Sequence, residues 1–134
     1  MTRTLRIITA LLTFQLFARG LDYATGNPNQ GVGVFQVESL DPPFVWGVVC
    51  ILAALTNAVG LARNCNRVIR DGAIVTSAIY LVFAAMVLED IRLHPLDDWR
   101  FFTSYLTFAG VWATIAVALT IRMAVVENRE GSNG

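Results

Sequence analysis

The chain has 134 residues, enough for one domain, and joins a hydrophobic content of 55% to a mean hydropathy of +0.57, too apolar for an ordinary soluble core of that length. Its ten basic residues are all arginine and balance ten acidic ones, which leaves no basic block for nucleic acid or another anionic polymer. The lipid bilayer is the expected partner.

A hydrocarbon core of about 30 Å needs roughly 20 apolar residues in a helix. The first candidate, Leu5 to Ala18, is short, is interrupted by Gln15 and is flanked by Arg6 and Arg19. A retained helix over 4–21, with both arginines snorkelling toward the two interfaces, competes with a cleaved signal peptide, although Leu16 stands where a cleavage site prefers a small residue. An outer loop over 22–42 follows, rich in Gly, Asn and Pro, with an alternating patch at Val32, Val34, Phe35 and Val37. A short hairpin or interfacial flap and an unstructured connector are both open for it.

The second span is expected over 43–62. Asp41 suits an N-cap, and Pro42 and Pro43 need donate no backbone hydrogen bond in a first turn. Phe44 and Trp46 then fall at headgroup level as interface anchors. Ala73 to Leu88 extends to a third span over 72–89, and Phe101 to Ile121, polar only through hydroxyl groups, gives a fourth over 100–121. Before it stands "HPLDDWRFF", residues 94–102, where Asp97 or Asp98 can cap the helix while Trp99 and Phe102 anchor it in the interface.

Arg3, Arg6, Arg63, Arg67, Arg70, Arg122 and Arg129 fall on one side of these spans and Arg19, Arg92 and Arg100 on the other, so the positive-inside rule puts both termini in the cytoplasm. The expected fold is all-α, a single integral membrane four-helix bundle over 1–134 in a bacterial inner membrane. On the outer side Arg19, Asp22, Glu89, Asp90, Asp97, Asp98 and Arg100 can form a polar collar that links helices, with Arg100 paired to Glu89, Asp90 or Asp22, or can serve as a substrate or ion site. Gln15 and Asn57 are the polar groups placed to bond between helices, or to line a path for ions or solute. Ala54 with Ala58 and Ala109 with Ala113 are small residues four apart that would allow close helix approach.

Catalytic signatures are missing. Cys50 and Cys65 do not form a CxxC pair, His94 is the lone histidine, and no nucleophile elbow, phosphate loop or zinc motif occurs. The expectation is a non-enzymatic protein without metal or cofactor. With Trp46 and Gly47 opening the second span, Arg63 and Arg67 in the inner turn, Tyr80 in the third span and Asp97 to Arg100 before the fourth, the layout resembles the small four-span membrane proteins of actinobacterial tailed phages, some of which are called holins. That resemblance implies holin-like permeabilisation or depolarisation of the inner membrane by self-association. Its alternative is an accessory or exclusion protein whose outer collar binds a membrane-protein partner. The C-terminal "VVENREGSNG" departs from the strongly charged tail common in holins.

Overall fold

A computed structural model describes residues 1–25, 43–93 and 99–132. They form four helices, α1 (Arg3–Thr25), α2 (Pro43–Ala62), α3 (Asn66–Leu93) and α4 (Trp99–Ser132), each long and apolar enough to cross a membrane. Helix is the expected answer for such segments, because lipid offers no partner to an exposed peptide group and only an internally bonded backbone crosses it alone. The helices outrun the hydrophobic spans. At 34 residues, α4 is about 51 Å long against a core of about 30 Å, and its last turns bear Arg122, Glu127 and Arg129. Loss of hydropathy marks where the apolar stretch ends, but nothing there breaks the backbone ladder.

The tight α2–α3 connection is built by its own residues. Asn64 adopts the left-handed conformation at φ 52°, Cys65 N–H reaches Gly60 O at 3.0 Å, and Asn64 N–H reaches Leu61 O at 3.3 Å. This is the Schellman pairing, in which orphan carbonyls at a helix C-terminus are satisfied by the two residues beyond it, with Asn in the position that tolerates positive φ. Arg6 of α1 completes the cap: Nη2 donates to Leu61 O at 3.1 Å and Nη1 to Asn64 Oδ1. Arg67 meets Glu127 at 3.4 Å. The start of α1, the α2–α3 turn and the end of α4 therefore share one end of the bundle, called here the turn end. There the Met1 ammonium is held below its ordinary value, by burial first and then by the charges of Arg122 and Arg6. Thr25, Phe44 and Trp99 stand at the opposite, loop end.

Each helix packs on its neighbour in the chain, α3 on α4 and α1 on α2 most extensively, whereas α1 and α4 do not close against each other in the same way. The α1–α2 crossing rests on two glycines. A methyl group at Gly47 would lie 2.6 Å from Ala24 N and 2.8 Å from Gly20 O, so the two backbones touch where no side chain fits. Close approach had been expected instead at the two alanine pairs. Ala54 and Ala109 are buried, but Ala58 and Ala113 are exposed. Ala109 takes part in a different contact, its carbonyl accepting a hydrogen bond from Ser77 Oγ at 2.9 Å.

All four helices feed one aromatic core. Phe83 of α3 meets Tyr23, Trp46, Tyr80 and Tyr105 edge-on, with centroids 5.3–6.2 Å apart, and Tyr80 stacks on Phe108 at 5.3 Å. Edge-on pairs place a ring's positive rim against a neighbour's negative face and add roughly 0.5–1.5 kcal/mol each beyond area burial. Trp46, read from sequence as an interface anchor, turns into this core and buries its Nε1. The reason is helical phase: position 46 shares its face of α2 with buried Cys50, Ala53, Asn57 and Gly60. Phe44 and Trp99 remain exposed at the loop end, and Phe102 is half-buried with its ring edge-on to Trp99.

Candidate functional site

The site begins with spacing on α1. Gln15, Arg19, Asp22 and Tyr23 recur at steps of four, three and one, which puts them along one side of the helix. That side borders α4 and, through the gap between α1 and α4, reaches Tyr80 of α3. The chain's three tyrosines, Tyr23, Tyr80 and Tyr105, all converge there.

Arg19 is at the centre. Its guanidinium carbon lies 4.8 Å from the centroid of the Tyr105 ring and 5.8 Å from that of Tyr80, within hydrogen-bonding reach of the Tyr23 hydroxyl. The Tyr23 and Tyr105 hydroxyls are 2.9 Å apart, and Tyr80 OH donates to Gln15 Oε1 at 2.7 Å. Snorkelling would have carried the Arg19 head outward along the helix. Instead it is half-buried on aromatic faces, whose quadrupoles attract a cation by about 0.5–1 kcal/mol when exposed and about 2 kcal/mol when desolvated. Among the described residues no carboxylate forms an ion pair with it. A groove of about 430 Å³ opens over this cluster between α1 and α4, lined by Gln15, Arg19, Asp22, Tyr23, Phe101 and Tyr105.

Of the expected collar, the structure thus gathers Arg19 and Asp22 in the groove. Glu89 is exposed near the end of α3, and Arg100 is exposed in the first turn of α4. Asp90 belongs to α3, but its side chain is outside the described residues, as are Asp41, the 26–42 segment, His94, Asp97 and Asp98. The tyrosines were absent from the collar read from sequence. The only signal for them was the polar ladder on α1, which shows that the side is polar but not which aromatic groups face it.

A second polar cluster lies deeper, between α2 and α3. Asn57 is fully buried, and its Nδ2 donates to Thr76 Oγ1 at 3.2 Å and to Ala53 O at 3.1 Å. Thr76 donates in turn to Gly72 O at 2.7 Å. Asn57 Oδ1 has no hydrogen-bond partner and rests on Gly72, where a Cβ would collide with it. Every other group in the cluster is paired, so it is suited to fixing helices rather than to chemistry.

Cys50 is buried and Cys65 half-buried, both as free thiols, and among the described residues no three metal-ligating side chains gather. The arrangement sets a cation on aromatic rings beside an open groove. No family model, curated protein or solved structure matches the chain.

Proposed function

We propose that this is an accessory membrane protein of a bacterial inner membrane that binds a ligand or partner, without turnover, in the groove over Arg19. The observation that carries this reading is the half-buried guanidinium, stacked on Tyr105 and lacking an ion-pair partner among the described residues, at the wall of an open groove. An arginine near the end of an apolar span ordinarily snorkels outward, and one held instead toward a groove is a candidate binding group. The packed aromatic core supports a stable bundle, since fully buried Trp112, Tyr80 and Phe83 fill the space that a conduit within one chain would need.

A photoreactive residue at Phe101, on the α4 side of the groove, should crosslink a discrete species in living membranes, and Arg19→Gln in the same chain should abolish that product. An unchanged product would remove Arg19 from the reading. In this reading both termini face the cytoplasm and α1 stays in the membrane. Reporter fusions after Gly134 and within the turn at Asn66 should then both report cytoplasm, and a C-terminus on the far side would overturn this topology.

The holin-like reading of phage type has one observation in its favour. Thr103, Thr107, Gly110 and Thr114 follow one exposed face of α4, the three hydroxyls are bonded to carbonyls of their own helix, and nothing lies within 4 Å of a Cβ at Gly110. Such a face permits close approach of a second copy. Induced expression with a potential-sensitive dye and an excluded DNA stain separates the readings: the accessory bundle leaves the potential intact, and abrupt depolarisation with stain entry would favour the pore.

A further inference from the structure

The groove over Arg19 carries charges in a fixed order, and that order selects a ligand class. Arg19 is six residues before the loop end of α1, about 9 Å below it, and Asp22 is three residues nearer that end, about 4.5 Å of helical rise. The donors cluster around the deeper position. A guanidinium has five N–H donors and no acceptor, so Arg19, set on the Tyr105 ring and within reach of the Tyr23 hydroxyl, has more donors than that one hydroxyl can take. Gln15 gives its carbonyl oxygen to Tyr80, leaving its amide N–H groups to donate. Asp22, exposed at the groove wall, is the acceptor and forms no ion pair among the described residues.

We propose that the groove seats a zwitterionic phospholipid headgroup of the phosphoethanolamine type, its phosphodiester on Arg19 and its primary ammonium against Asp22. The inference rests on the groove being a ligand site, as argued above. A phospholipid that enters sideways between α1 and α4 keeps its acyl chains in the bilayer, along Ala18 and Phe101 on the groove wall, while its phosphate lies deeper than its amine. Arginine suits the phosphate because its planar fork donates two parallel hydrogen bonds to two oxygens. The opposite charges of Arg19 and Asp22 match a neutral zwitterion. A glycerol headgroup would leave Asp22 facing a net anion, and a choline headgroup has no N–H to donate to it.

The test uses the full chain in mild detergent with an equimolar mixture of phosphatidylethanolamine, phosphatidylglycerol and phosphatidylcholine, read by native mass spectrometry. Wild type is expected to retain one phosphatidylethanolamine, about tenfold over either competitor, as loss of one charge-assisted contact implies. Asp22→Asn should keep a phospholipid but lose the preference, and Arg19→Gln should lose retention of all three. Tyr105→Phe preserves the ring under Arg19 and removes only the hydroxyl paired with Tyr23, so it should stay folded by circular dichroism and keep the phosphatidylethanolamine preference. A preference for phosphatidylglycerol, or displacement of lipid by millimolar inorganic phosphate, would overturn the headgroup assignment and leave a ligand groove dependent on Arg19. Equal retention by wild type and a folded Arg19→Gln protein would overturn both.

Discussion

Gly47→Leu is expected to have the largest effect on the fold, separating α1 from α2 and abolishing a monodisperse detergent-solubilised protein. Even Gly47→Ala should lower stability by about 2–3 kcal/mol, seen as a lower midpoint of unfolding in a denaturing detergent. Two effects oppose each other at this position. Alanine is the better helix former by about 1 kcal/mol, but its methyl group would meet backbone atoms of Ala24 and Gly20 at 2.6–2.9 Å, and backbone cannot rotate out of the way. The clash wins unless the helices part, which would open the packing of Leu16 and Cys50 beneath. Gly110 is the internal control. With nothing within 4 Å of its Cβ position, Gly110→Ala should be neutral or stabilising by up to about 1 kcal/mol in the dispersed protein. A destabilised Gly110→Ala beside a tolerant Gly47→Ala would invert the proposed origin of the crossing.

Gly72→Ala should cost nearly as much, roughly 3 kcal/mol, for a different reason. Its methyl group would displace Asn57 Oδ1, and the fully buried amide would then lose its bonds to Thr76 and Ala53 with no water to replace them. A buried polar group left unpaired costs about 1–3 kcal/mol and overpacking adds about 1–3 kcal/mol. The double-mutant cycle is the decisive form of the experiment. In an Asn57→Ala background the space opposite residue 72 is empty and Thr76 keeps its bond to the residue 72 carbonyl, so Gly72→Ala should become nearly harmless. The coupling should be about 1–3 kcal/mol, and strict additivity would show that Asn57 and Gly72 do not share one site.

These two crossings explain how the Arg19 groove is held. The Gly20–Gly47 contact fixes α1 against α2, and the Asn57–Thr76 bond fixes α2 against α3, so Tyr80 of α3 reaches Gln15 of α1 past the buried edge of α2. Because α1 and α4 are not closed on each other, the fourth side of the bundle stays open at Arg19. The Tyr23–Tyr105 hydroxyl pair, which joins residues 82 positions apart, and the Arg19 guanidinium on the Tyr105 ring bridge that side.

The amino-acid sequence by itself determined four segments apolar enough to cross lipid as helices and roughly where each one lies, because hydropathy reports the solvent a segment can tolerate and lipid admits only a backbone bonded within itself. Polar residues were also legible as exceptions: Gln15, Arg19 and Asn57 stand out against apolar neighbours. What only the tertiary structure decided is which face of each helix turns inward. In water that face is marked by its hydrophobicity, but in lipid both faces are apolar, and Trp46 inside looks in sequence like Phe44 outside. Inward faces are chosen by fit, by Gly47 meeting Gly20 across 27 positions and by Gly72 leaving room for Asn57. Arg19 likewise shows its charge in the sequence, but the tyrosine faces that hold it come from helices whose phase the sequence does not mark.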